Sequence, residues 1–178
     1  MKNILFVLIA TSLFACTKVD RETEVLDHVG PSFTSAIAVV HPKNDSEVNG
    51  IVTLTATDNG VKVEAEITGL SDGKHGFHIH QYGDCSAPDG TSAGGHYNPA
   101  NNDHSGPDAE LRHMGDMGNL QGEGTETIST ISYLDSHIEL DDVIGRGIII
   151  HAGEDDLTSQ PTGAAGARIG CGVIGIAK

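Results

Sequence analysis

The sequence predicts an all-β fold, an eight-stranded antiparallel Greek-key sandwich or flattened barrel with long loops between some of its strands. Three observations predict it. Short runs alternate apolar and polar residues with a period of two, most cleanly from Val48 to Thr57, where Val48, Val52, Leu54 and Ala56 share one parity, and again from Val61 to Leu70. Clusters of turn residues bound these runs, namely Pro42-Lys43-Asn44-Asp45, Asp58-Asn59-Gly60 and Ser71-Asp72-Gly73. The composition agrees, because 23 glycines, 4% aromatic residues and no tryptophan suit short strands and turns better than long helices. A chain of 178 residues is long enough for about one domain with a real core.

Taken in order, Met1 to Cys16 reads as a secretory signal: Lys2, an apolar run from Ile4 to Phe14, then Ala15 and Cys16, too short to span a bilayer. Its end, Leu13-Phe14-Ala15-Cys16, resembles a bacterial lipoprotein cleavage box, in which Cys16 becomes the lipidated first residue. Ordinary cleavage near Ala15 is the alternative, since Phe14 is bulkier than that box usually carries. Lipidation would also remove the odd one of three cysteines in an oxidising compartment. The expected location is the periplasm or cell envelope, lipid-anchored to a membrane through Cys16. Residues 17–34 are polar, mixed in charge and broken by Gly30-Pro31, and read as a flexible tether.

The domain is expected over residues 35–178. Strands are predicted at Ser35 to His41, Val48 to Thr57, Val61 to Leu70, His75 to Gln81, Met114 to Leu120, Thr125 to Tyr133, Gly147 to Ala152 and Ile169 to Ile176, with Asp58-Asn59-Gly60 as a tight hairpin. The chain carries 25 acidic against 10 basic residues, a formal charge of −15, which argues against nucleic acid as a partner.

The informative stretch runs from His78 to Asp116. Five of the ten histidines, His78, His80, His96, His104 and His113, fall there among Gly, Pro, Asn and Asp. On a strand, His78 and His80 leave the same face with backbones roughly 6.6 Å apart, close enough for both rings to reach one ion. His96, His104, His113 and Asp116 offer three nitrogens and one oxygen, a set that suits tetrahedral zinc. An all-imidazole site at His78 and His80 favours copper. His28, His41, His75 and His137 lack companions at ligand spacing and are assigned to the surface or to hydrogen bonds.

The motifs Gly76-Phe77-His78-Ile79-His80, Gly83-Asp84-Cys85, Ser92-Ala93-Gly94-Gly95-His96-Tyr97-Asn98-Pro99, Arg112-His113-Met114-Gly115-Asp116-Met117-Gly118-Asn119 and Arg168-Ile169-Gly170-Cys171-Gly172-Val173-Ile174-Gly175 resemble, in order, those of the Cu,Zn superoxide dismutases. The resemblance covers Ser35 to Lys178, and with the lipoprotein-type start it points to a bacterial member. It implies that the long loops bind metal and form the active site, with copper on His78, His80, His96 and His151 and zinc on His96, His104, His113 and Asp116. His96 would bridge the two ions and help deliver a proton. Arg168 would attract superoxide, the substrate, and Thr162 would narrow the channel opposite it. Asp155 would link His78 to His104, and Cys85 would pair with Cys171. A homodimer is left open. The loop from Leu157 to Pro161 is shorter and less charged than in many relatives, which leaves the steering residues unassigned and Lys74 as one candidate. The competing reading is a non-catalytic periplasmic copper and zinc binding module, which would be expected to lose a copper ligand or the arginine.

Overall fold

The structure is a computed structural model that describes residues 33–178. The leader, Cys16 and the tether as far as residue 32 lie outside the described residues. Eight strands follow one another: β1 (Ser35–Pro42), β2 (Asn49–Thr57), β3 (Gly60–Thr68), β4 (Gly73–His80), β5 (Asp116–Gly122), β6 (Ser129–Asp135), β7 (Gly147–His151) and β8 (Arg168–Ile176). They form one antiparallel sheet in the order β5-β4-β7-β8-β1-β2-β3-β6. β5 and β6, the two ends of that order, lie against each other without a ladder between them, so the sheet is a nearly closed barrel of Greek-key connection.

The alternation read from the sequence sorts the two faces. Val52 and Leu54 of β2, with Val61, Val63, Ala65 and Ile67 of β3, are at most 2% exposed and fill the interior. In β4, Phe77 and Ile79 point inward while His78 and His80 point out, yet all four are buried, because long loops cover that outer face. The same holds for β7, where Ile148 and Ile150 join the core. Ile149 instead packs outside the barrel against Ala93, Cys171 and Cys85.

Strand ends differ from the expected ones where local hydrogen bonds win. β6 begins at Ser129 and not Thr125, because Thr127 N–H closes a turn on the Gly124 carbonyl. β5 begins at Asp116 because Gly115 is already engaged: its N–H donates to Tyr97 and its carbonyl accepts from Ile79. A short helix α1 (Leu140–Val143) and a 3-10 turn at Thr91–Ala93 were not anticipated from the sequence.

Candidate metal centre

β4 supplies His78 and His80 two residues apart on its outer face, and pairing with β7 sets His78 opposite Ile149 and Phe77 opposite Ile150. Continuing that register brings His151, at the end of β7, beside Gly76. A Cβ built on Gly76 would meet Ala165 Cβ at 2.7 Å, His78 Cε1 at 3.0 Å and His151 Cβ at 3.4 Å, so only glycine lets the two imidazoles approach. Their ring centroids are 5.0 Å apart. An isolated bridge ties His80 to His96, and the His78 and His96 rings lie 4.0 Å apart.

The donors fall into two buried groups, His78, His80, His96 and His151 in one and His96, His104, His113 and Asp116 in the other, with all donor atoms of a group within 4.8 Å of one another. His96 belongs to both. In the first group each ring has one nitrogen tied down. His78 Nε2 lies 2.8 Å from Asp155 Oδ2, His80 Nδ1 2.9 Å from the Gly94 carbonyl and His151 Nδ1 3.0 Å from the Gly166 carbonyl. The remaining atoms, His78 Nδ1, His80 Nε2, His96 Nε2 and His151 Nε2, are buried and have no partner. Four converging imidazole nitrogens without hydrogen bonds fit an ion and fit little else.

In the second group Asp116 Oδ1 lies 2.8 Å from His96 Nδ1, 2.9 Å from His104 Nδ1 and 3.1 Å from His113 Nδ1, and His113 Nδ1 is 3.4 Å from His96 Nδ1. One carboxylate oxygen has too few lone pairs for three ring donors. Ligands about 2.0 Å from a tetrahedral centre stand about 3.3 Å apart, so the spacing fits zinc.

Burial keeps the first group ready for an ion. It lowers His78 to about 3, against the pull of the Asp155 hydrogen bond, and lowers His151 to about 4. His80 and His96 are depressed for the same reason. At His104 burial also disfavours charge, but the carboxylates of Asp116 and Asp155 outweigh it and raise the ring to about 9. Both carboxyls are held well below the usual range, the hydrogen bonds from His104 and its neighbours overcoming burial.

Outside the donors, Asp155 accepts from His78 on one oxygen and from His104 Nε2, at 2.8 Å, on the other. Arg168 is half-buried and donates to the carbonyls of Gly90 at 2.6 Å and Gly94 at 2.7 Å, so Gly94 serves both His80 and the guanidinium. Thr162 is half-buried beside Gly163, whose absent side chain leaves room for Asp155 and His104. Cys85 and Cys171 form a disulfide. Lys74 is paired with Glu154 at 2.7 Å.

A sequence profile described as copper/zinc superoxide dismutase (SODC) matches residues 48–174. The chain belongs to the copper/zinc superoxide dismutase family. It is 48% identical over 145 residues to the extracellular superoxide dismutase [Cu-Zn] of Drosophila melanogaster, covering 75% of this chain and 78% of that one. It is 36% identical over 192 residues to the extracellular superoxide dismutase [Cu-Zn] of Brugia pahangi, covering 99% of this chain and 94% of the other. Among solved structures it is similar to the clock protein EA4, with a TM-score of 0.74 and 38% identity, covering 84% of this chain and 99% of that one. The protein is therefore a superoxide dismutase of the Cu,Zn type, and copper and zinc are its cofactors.

Sequence reasoning did not single out several residues that hold this centre. The buried Arg112 donates to the carbonyls of His113, Met114 and Asp116 at 2.8–3.1 Å and grips Asp135 through Nη2 at 2.6 and 2.7 Å. Asn119 exchanges two hydrogen bonds with the main chain of Asp155. His75, assigned to the surface or to a hydrogen bond, is buried and bonded, its Nδ1 lying 2.9 Å from the His151 carbonyl. Of these, Arg112 and Asn119 stand at the two ends of one family motif without a role of their own, and His75 carried no signal.

Proposed function

We propose that copper is held by His78, His80, His96 and His151 and zinc by His104, His113, Asp116 and the same His96, whose two nitrogens join the sites. The observation that supports this most is the set of four unpartnered buried nitrogens beside a three-nitrogen, one-oxygen tetrahedron that shares one ring with it. When bound, copper supplies the one-electron exchange that turns two superoxide ions into oxygen and hydrogen peroxide.

The chain's own residues supply the rest. The Arg168 guanidinium, permanently charged and steadied by two carbonyls, offers donors to the superoxide anion at the centre. His96 Nε2 is the nitrogen placed to hold and hand over a proton as peroxide forms. Asp155 keeps His78 and His104 in fixed tautomers across the two sites, and the zinc set holds the His96 ring in place. Thr162 narrows the approach opposite Arg168.

The test is metal analysis with a superoxide assay on one purified sample. Arg168→Ala is expected to lower the rate by about tenfold or more, through lost attraction of the anion, while copper content stays at the parent level. A fully loaded protein without activity would support the metal-buffer reading instead.

We also infer export, with residues 1–16 as signal, Cys16 as a lipidated anchor of bacterial type, and residues 17–34 as a tether that ends where Phe33 packs on the core and the Thr34 carbonyl accepts from Ala56 N–H, ahead of the enzyme domain at 35–178. The names of the two extracellular relatives support export, and the Leu13-Phe14-Ala15-Cys16 ending supports the anchor at the periplasmic or envelope surface. Lipid labelling abolished by Cys16→Ser is the expected result. A homodimer is supported by Ile51, Val39 and Val173, exposed by 43–48% on the adjoining strands β2, β1 and β8. Sedimentation should give a dimer that Val173→Glu dissociates.

A further inference from the structure

Residues 101–106 form neither strand nor helix, so their backbone groups must find partners outside a ladder. The Asn98 side chain takes the Asn102 N–H at 3.0 Å and donates to the Asn102 carbonyl at 2.8 Å, and the Ser105 N–H goes to Asp116 at 3.1 Å. His104, between them, is buried, and both of its main-chain groups are met from across a groove. That groove, about 440 Å³, separates residues 102–105 from Leu157, Thr158 and Gln160. Gln160 Oε1 accepts from the His104 N–H at 2.8 Å, and Gln160 Nε2 donates to the His104 carbonyl at 2.9 Å. A side-chain amide has an acceptor oxygen and two donor hydrogens, so it pairs with the peptide groups of one residue as a neighbouring strand would.

The ring of the same histidine is held from the same loop. His104 Nδ1 faces Asp116, while Nε2 lies 2.8 Å from Asp155 Oδ1. Asp155 therefore grips the ring and Gln160 the main chain. The loop between them is braced on itself, the Leu157 N–H donating to Asp155 Oδ1 at 2.8 Å and Gln160 Nε2 reaching the Thr158 carbonyl at 3.3 Å. Gln160 is exposed and fills no core, so its long side chain gives up rotamer freedom for these backbone bonds alone.

We propose that Gln160 is a positioning residue that retains zinc: by pinning the His104 main chain across the groove, it keeps the ring on the ion and slows the ion's escape. The inference rests on the assignment of His104 to zinc made above. It gives the short, weakly charged loop from Leu157 to Pro161 a task in holding metal.

Zinc loss from the fully metal-loaded protein to a chromogenic chelator is the first measurement, and hydrogen exchange of the His104 amide, read by NMR in the diamagnetic cuprous state, is the second. Gln160→Met keeps the length of an exposed side chain and removes both bonds. It should speed zinc loss by roughly three- to tenfold, the size of two neutral hydrogen bonds partly open to water, and should open the His104 amide to exchange. Gln160→Glu keeps the acceptor and loses the donor, so it should protect that amide and fall between the other two in zinc loss. Zinc leaving Gln160→Met at the parent rate, or copper released faster in equal proportion, would overturn the proposal. A parent protein that holds no zinc, or a His113→Ala variant that keeps it, would instead remove the ligand assignment beneath it.

Discussion

Gly76 shows how one missing side chain shapes the centre. His78 and His151 come from neighbouring strands, and the space between them is what a Cβ at position 76 would occupy. Gly76→Ala is therefore expected to push the His78 and His151 rings apart and weaken copper binding, with a stability loss of about 1–3 kcal/mol from overpacking. Zinc stoichiometry should fall less than copper, because the three atoms nearest the added methyl group belong to Ala165, His78 and His151. Metal analysis with the copper absorption spectrum checks this, and equal loss of both ions would reject it. Asp155 is the complementary case, a carboxylate with one oxygen for His78 and the other for His104. Removing it would release both tautomers at once, an effect usually about 10–100-fold on metal affinity.

At the scale of elements, β4 serves two faces, Phe77 and Ile79 turned to the core and His78 and His80 turned to the buried histidine cluster that could hold an ion. The His-x-His spacing made that legible, since a strand is the one regular element that puts residues two apart on one side. The eight strands were legible from alternation and turn residues, and their ends drifted where turns such as Gly124 to Thr127 outcompeted the ladder. The support of the zinc loop was not legible, because it depends on contacts distant in the chain. Asp135 lies on β6, 23 residues from Arg112, and no local pattern links the two. Arg112→Leu would leave the buried Asp135 without its guanidinium, with the His137 N–H still donating at 2.9 Å, and would strip donors from the carbonyls of His113, Met114 and Asp116, at about 3–5 kcal/mol. The expected readout is a lower melting temperature of the metal-free protein, and an unchanged one would show the pair to be dispensable.

For the whole molecule, the charge of −15 and an anionic substrate pull in opposite directions. Most other basic side chains described are committed: Lys74 to Glu154, Lys62 to Glu64, Arg112 to Asp135, and Arg146 stacked 3.9 Å over the Tyr97 ring. Arg168, held by the Gly90 and Gly94 carbonyls, is the cation we propose to attract the anion. The Cys85–Cys171 disulfide closes a sequence separation of 86 residues, worth about 4–5 kcal/mol in the chain-entropy view and less where the opened chain keeps structure. Cys171→Ser should lower the unfolding midpoint accordingly, as denaturant titration would measure. The bridge reaches further than stability. Gly90 and Gly94, which steady the arginine, lie on the loop that Cys85 anchors, and Cys171 follows that arginine by three positions on β8. Opening the bridge is therefore expected to free the loop that carries Gly90 and Gly94, and with it the two carbonyls that hold the Arg168 guanidinium.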